Sequence, residues 1–388
     1  MKTTRRLLAS LLAPLLLLAF TPAKEQHAAR NHYLAYVGTY TTKTASKGIY
    51  AFRYDASSGK LAPIGVAAET RDPSWVAVHP NGKFLYAVNE AGKDSMVSAF
   101  RIDSATGRLT LLNQLPALGE DPCYLSFDKT GKYVLVANYT SGNVVVFPIG
   151  RNGELGPATA NFRDEGKLGP NKERQDGPHA HWIETSAGNR FAYVSDLGLD
   201  KVLIYKFDRE SGTLSNPDPG RQEAFSATLP PGSGPRHLTF SRDGNFMYVL
   251  SEVQSTVTAF ANDAREKYRA LQTVSALPSG FSGRNDAAEI ALHPSGKFIY
   301  TSNRGSDTIA VFEVEAGGLL RLEADVPTGG KEPRHFSIDP SGNYLLAENQ
   351  LSDSIVTFRI DQKTGALTPT GETQAVPSPV CIQFLPLD

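Results

Sequence analysis

From residue 33 onward, apolar and polar positions alternate in short runs, and the runs recur in a fixed order. The plainest unit is PSWVAVHPNGKFLYAVN (73–89): an alternating run, a Gly turn, then a second apolar run. A period of two predicts strands with a buried face, and Gly supplies the positive φ that a tight turn needs. A third run at 97–102 ends at Thr106-Gly107, and a fourth opens at Leu109. Beyond the N-terminal thirty residues nothing sustains a 3.6-residue apolar period, so the expected class is all-β.

Copies of the unit stand at 122–138, 235–251, 287–303 and 333–349, and a copy at 178–196 reads as carrying one inserted residue. Their opening residues (73, 122, 178, 235, 287 and 333) lie 46 to 57 residues apart, the size of a four-stranded propeller blade. Residues 33–70 hold three strands without an opening one, and 378–384 is an opening strand without a continuation. Joined, they make one more blade and leave no sheet edge exposed. The expectation is a single seven-bladed β-propeller domain over 33–388. Its blades are four-stranded and antiparallel, and the C-terminal strand closes the ring.

The first residues follow another rule. Lys2, Arg5 and Arg6 precede an apolar run at 7–20, and Thr21-Pro22-Ala23 is a small-residue cleavage site. Residues 1–23 therefore read as an export signal, since the run is shorter than a ~20-residue membrane span. The mature chain is expected outside the cytoplasm, periplasmic or secreted, with no stable membrane insertion. With 39 basic against 40 acidic residues, the composition argues against a nucleic-acid surface. The two cysteines, Cys123 and Cys381, open strands two blades apart and are expected as free thiols.

Aligning the copies separates structural polar residues from candidates for chemistry. Strand starts and second-strand ends lie on one face of the disc, so functional groups should gather in those columns. The strand starts bring Arg236, His237, Arg334 and His335, together with His179 and His181 from the copy at 178–196. Counted from Pro178, His181 falls in a column that is otherwise apolar, and a shift of one residue aligns it with His237 and His335. The strand ends repeat Asn, a residue that readily caps backbone groups. Asp196, Glu252 and Arg304 stand out there. Glu90 is a weaker candidate of the same kind. His79 and His293 occupy a turn position that other short polar side chains fill, which is a structural role.

The set YVGTYT (36–41), GPHAH (177–181), GPRHLTF (234–240), YVLSE (248–252), YTSNRGSDTIAVF (300–312) and PVCIQF (379–384) resembles the lactonase family of seven-bladed propellers. The family's best-known activity is 6-phosphogluconolactonase, and it also includes fungal carboxymuconate-lactonizing enzymes. The resemblance implies a site of one histidine (His179 or, preferred, His181), one glutamate (Glu252) and two arginines (Arg236 and Arg304). Asp196, His179, His237, Arg334 and His335 are expected to bind substrate.

The expected function is opening of a sugar-acid lactone by base-assisted attack of water, with Glu252 or His181 as base and Arg236 or Arg304 at the oxyanion. A small-molecule lactone is the expected partner of a monomer, and no cofactor is required. Asp196, Glu252 and the Asn ring are the groups that could serve a divalent cation. Two other functions fit the same fold: a carboxymuconate-type cycloisomerase and a non-enzymatic exported binder. Typical 6-phosphogluconolactonases are cytoplasmic, whereas this chain is expected to be exported.

Overall fold

The computed structural model describes residues 31–217, 225–263 and 267–387; the expected signal at 1–23 lies outside them. Seven antiparallel sheets form the fold. The strand Pro379–Pro386 pairs with His32–Thr39, so the first blade is built from both ends of the chain, as expected. Blades two to seven follow in chain order, and their first strands begin at Trp75, Pro122, Ala180, Pro235, Asp286 and Pro333. Each first strand touches the first strands of both neighbouring blades, which closes the ring. Trp75 of blade two lies edge-on to His237 and His335 of blades five and seven, so these strands are the innermost. Blade four departs from the plain pattern. Its outer strand is in two pieces, Thr213–Ser215 and Phe225–Thr228, both paired with Lys201–Asp208.

The second strands are apolar on both faces because blades pack against them from either side, and Phe84–Asn89 and Tyr133–Asn138 are buried throughout. Tyrosines on these strands tie neighbouring blades together. Tyr86 donates to the Gly153 carbonyl at 2.7 Å, Tyr300 to Gly365 at 2.8 Å and Tyr344 to Ser57 at 3.2 Å. The turn histidines act alike: His79 Nε2 meets the Gly131 carbonyl, and His293 Nε2 that of Gly342, both at 2.8 Å. Their role is structural.

The inserted residue read into the copy at 178–196 is absent. Ala180 pairs with Asp196 as Pro122 pairs with Asn138, Pro235 with Ser251 and Pro333 with Asn349. Ala180 therefore takes the opening position that Pro178 was expected to hold. At the turn, Asn189 (φ 55°) stands where other copies have Gly82, Gly131 or Gly296. Asn is among the few residues that enter this left-handed region readily. His181 consequently belongs to neither column considered for it. It shares the column of Cys123, Arg236 and Arg334.

Candidate functional site

That column is produced by β-bulges. In six blades the pairing skips a position at the start of the inner strand, and Cys123, His181, Arg236 and Arg334 are among the residues left unpaired. A bulge re-aims a side chain, and here it turns Cys123, His181 and Arg334 toward the mouth of the central channel. The ends of the adjacent second strands add Tyr139, Glu252 and Arg304, which face a cavity of about 270 Å³ together with Cys123, His181 and Arg334.

Glu252 is the centre of the cluster. Arg236 Nε lies 2.9 Å and Arg304 Nη2 3.2 Å from its Oε2, and Arg174 Nη2 donates to Oε1. His181 Nε2 is 3.7 Å from Oε2, while its Nδ1 faces the Cys123 sulfur at 3.5 Å. Arg174 also reaches Asp286 at 2.8 Å, and Arg304 reaches Glu332 at 3.9 Å. Three guanidinium groups thus face three carboxylates. Burial alone would raise the Glu252 carboxyl, but the Arg304, Arg236 and Arg174 guanidinium groups together hold it well below the usual range. Burial, helped by Arg236 and His237, pushes His181 well below 6.5 and keeps its imidazole neutral at pH 7. Burial and Arg304 bring Arg236 down to about 10.

On the other side of the mouth the Arg334 guanidinium lies over the Tyr40 ring, 5.4 Å from its centroid. Tyr40 donates to Glu90 at 2.7 Å, and burial lifts the Glu90 carboxyl against the pull of Arg334. Glu90, set aside as weaker from sequence, is therefore part of the cavity wall.

Four expected substrate-binding residues do not line this cavity, and neither does Arg236, expected as catalytic, which lies buried behind Glu252. His179 stacks on Tyr139 at 4.6 Å, donates from Nδ1 to the Tyr139 carbonyl and meets Asp176 at 2.9 Å. Asp196 is fully buried and accepts the amides of His179 and Leu199, so it organises the loop. His237 and His335 lie one position further along their strands, against Glu289 and Glu348. The physical reason is the bulge: it turns the column of His181 and Arg334 to the mouth and leaves the next column deeper in the channel. Nor do Asp196 and Glu252 make a cation site. Among the described residues no group of three or more His, Cys, Asp or Glu could hold a metal ion.

Arg174 was not found from sequence. It comes from the segment before blade four and belongs to no repeat column. The neighbouring Gln175 fixes it there, donating to the Leu197 carbonyl at 2.9 Å and to Asp200 at 2.7 Å. The available clue was the length of that segment, with its turn residues Gly169-Pro170-Asn171.

A family model described as the seven-bladed β-propeller lactonase matches residues 34–384. The chain belongs to the lactonase family. It is 38% identical over 355 residues to the 6-phosphogluconolactonase of Bacillus subtilis, covering 91% of this chain and 98% of that protein. Identity to the 6-phosphogluconolactonase of Formosa agariphila is 34% over 311 residues, 78% of this chain and 85% of that one. A solved structure, that of the periplasmic gluconolactonase of Pseudomonas aeruginosa, superposes with a TM-score of 0.84 at 33% identity, covering 91% and 99% of the two chains.

Proposed function

We propose that this chain is a lactone hydrolase of the 6-phosphogluconolactonase type, opening a sugar-acid lactone by base-assisted attack of water. The observation that carries the reading is the buried His181, 3.7 Å from a carboxylate already gripped by three arginines. Glu252 is too strongly stabilised as an anion to be the better proton acceptor. His181 takes the proton from water as the water oxygen bonds to the carbonyl carbon, and Glu252 faces the imidazolium that forms. The imidazolium returns the proton to the ring oxygen as the C–O bond of the lactone breaks. Arg304, which lines the cavity, offers fixed positive charge to the developing oxyanion, and a low-dielectric pocket strengthens that interaction. Arg236 grips Glu252 from behind the cavity wall. Arg334, laid over Tyr40, receives the anionic end of the substrate, a role suited to a planar guanidinium.

We read the enzyme as exported. The Lys/Arg start, the apolar run at 7–20 and Thr21-Pro22-Ala23 support this, as does kinship with a gluconolactonase named as periplasmic.

The test is lactone opening followed by pH-stat with 6-phosphogluconolactone and δ-gluconolactone. Turnover above the spontaneous rate is expected, and His181→Gln should lower it by about 10²–10⁴. No turnover of either lactone overturns the reading. Consumption of a carboxymuconate in that case identifies a cycloisomerase, and inertness to all three a binder.

A further inference from the structure

Directly beneath Arg236, a run of hydrogen bonds and one longer polar contact leads away from the mouth along the wall of the channel. Arg236 Nη1 lies 3.3 Å from His237 Nε2, and His237 Nδ1 lies 2.9 Å from Glu289 Oε2. The same Oε2 is 3.5 Å from His335 Nε2, and His335 Nδ1 is 2.6 Å from Glu348 Oε2. All four side chains are buried, Glu348 completely. The Trp75 ring presents its face or edge to both imidazoles at 5.5 and 5.2 Å, and Tyr124 packs on His237 at 5.2 Å. None of the four lines the cavity, and the lactone-opening steps above use none of them.

The directions of these bonds follow from which atoms can donate. A guanidinium only donates, so His237 Nε2 must be the acceptor and its hydrogen sits on Nδ1. That hydrogen goes to Glu289 Oε2, while Glu289 Oε1 accepts the Ile290 amide at 3.0 Å. With both oxygens accepting, Glu289 is a carboxylate, and His335 turns Nε2 toward it at 3.5 Å. Glu348, completely buried and with its Oε2 2.6 Å from His335 Nδ1, is assigned as the neutral donor to that nitrogen. Ionisation tendencies point the same way. Burial pushes the Glu348 carboxyl well above the usual range and brings His335 down to about 4, despite the opposing pull of Glu289. Burial also lifts Glu289, with His335 and Arg236 drawing it back.

We propose that His237, Glu289, His335 and Glu348 are a positioning chain for Arg236, in which Glu348 is the terminal neutral donor and Glu289 the anchoring anion. The chain holds the Arg236 guanidinium from below while Glu252 holds it from above. Arg236, behind the cavity wall, thereby fixes the Glu252 carboxylate that faces His181 before substrate arrives. This assignment rests on the lactonase reading for its kinetic consequence only.

The test has a kinetic and a spectroscopic arm. Glu289→Gln removes the anchoring charge, and kcat should fall about tenfold with KM within about twofold, as for residues in one hydrogen-bond network. Combined with Arg236→Lys it should cause little further loss, because both changes act through one guanidinium. Glu348→Gln keeps an N–H donor toward His335 and should hold kcat within about twofold of wild type, whereas Glu348→Leu should lose about as much as Glu289→Gln. Independent losses in the double variant, or equal losses for the two Glu348 variants, overturn the proposal. The second arm needs neither turnover nor a variant. Nitrogen NMR of the histidines in the intact wild-type protein at pH 7 should find His237 as the Nδ1–H tautomer and His335 as the neutral Nε2–H tautomer. An imidazolium at His335 overturns the chain whatever the activity. A protein with these tautomers that opens no lactone sinks the proposed function and leaves the chain standing.

Discussion

Replacing Glu252 by Gln removes one negative charge from among three guanidinium groups and changes almost nothing in volume. Arg174 keeps Asp286 at 2.8 Å, and Arg304 keeps Glu332 at 3.9 Å and the Asp286 carbonyl at 3.1 Å. Arg236, with a side chain only 4% exposed, keeps no anion in direct contact, only the Ala288 carbonyl and the His237 ring. The cost therefore concentrates on one stranded cation, for which breaking a buried pair gives about 3–5 kcal/mol. With ~350 ordered residues at ~2.1 cal/mol/K each, the unfolding entropy is ~0.7 kcal/mol/K, so Tm should fall by ~4–7 °C. The pH dependence has a definite sign. The folded-state pKa of Glu252 is depressed, so its contribution is present above the unfolded value of ~4.3 and is lost as pH falls through the lower folded value. Calorimetry should thus find a constant deficit from pH 8 to about 5 that shrinks in stronger acid. Arg321 supplies the contrast. It meets Glu313, Glu315 and Glu323 in an equally crowded but exposed cluster, and Arg321→Gln should leave Tm unchanged. A Glu252→Gln protein that melts at or above the wild-type temperature refutes the argument that this carboxylate compensates buried positive charge.

For the wild type, kcat/KM should show an acid limb with its midpoint below 6.5, because His181 acts as the neutral imidazole and burial depresses its pKa; a midpoint at or above 6.5 points to another base. Arg334→Gln should raise KM for a phosphorylated lactone about tenfold or more and change KM for the uncharged lactone far less, and equal effects on both would remove the anion from that side of the mouth. Cys123 and Cys381 are free and buried, and burial raises both thiols, so alkylating reagents should spare the native protein and modify two thiols after denaturation. Deleting residues 379–387 strips away the buried Val380, Cys381, Ile382 and Leu385 at ~1.5–3 kcal/mol for each large side chain, a loss comparable with whole-domain stability; soluble protein with wild-type melting would contradict the closure seen here.

The ring was legible in the sequence because a propeller repeats one local grammar, and each copy checks the others. Even the split blade was readable, since its two fragments are complementary. The site was only half legible. Glu252, Arg236 and Arg304 interrupt columns whose register is plain. His181 was found as an outlier, yet its column was misassigned, because Pro178 mimics the opening residue and Gly188 mimics the turn glycine. The second-strand aromatic was the better anchor: counted back from Phe191, Asn189 falls at the turn and His181 beside Arg236. Which side of a bulge faces the mouth is a matter of pairing geometry, which one copy of a strand does not encode. For that reason His237 and His335 were grouped with the binding residues although they lie a layer deeper. Arg174 was out of reach, because no repeat contains it.

Closure and chemistry are therefore linked more closely than the repeat alone implies. The His181–Glu252 side of the mouth comes from blades four to six and the segment before them, all contiguous in the chain. The opposite side is assembled across the seam: Arg334 from blade seven, Tyr40 from the first blade and Glu90 from blade two. Tyr40 is fixed there by its amide, which donates to the Ser378 carbonyl at 3.2 Å, where the closing strand begins. The residue that carries Arg334 on its ring is thus held by the one inner strand supplied from the far end of the chain. The seam thus sets the place of Tyr40 beneath Arg334, and the geometry of the Arg334 side of the cavity depends on the joint being made.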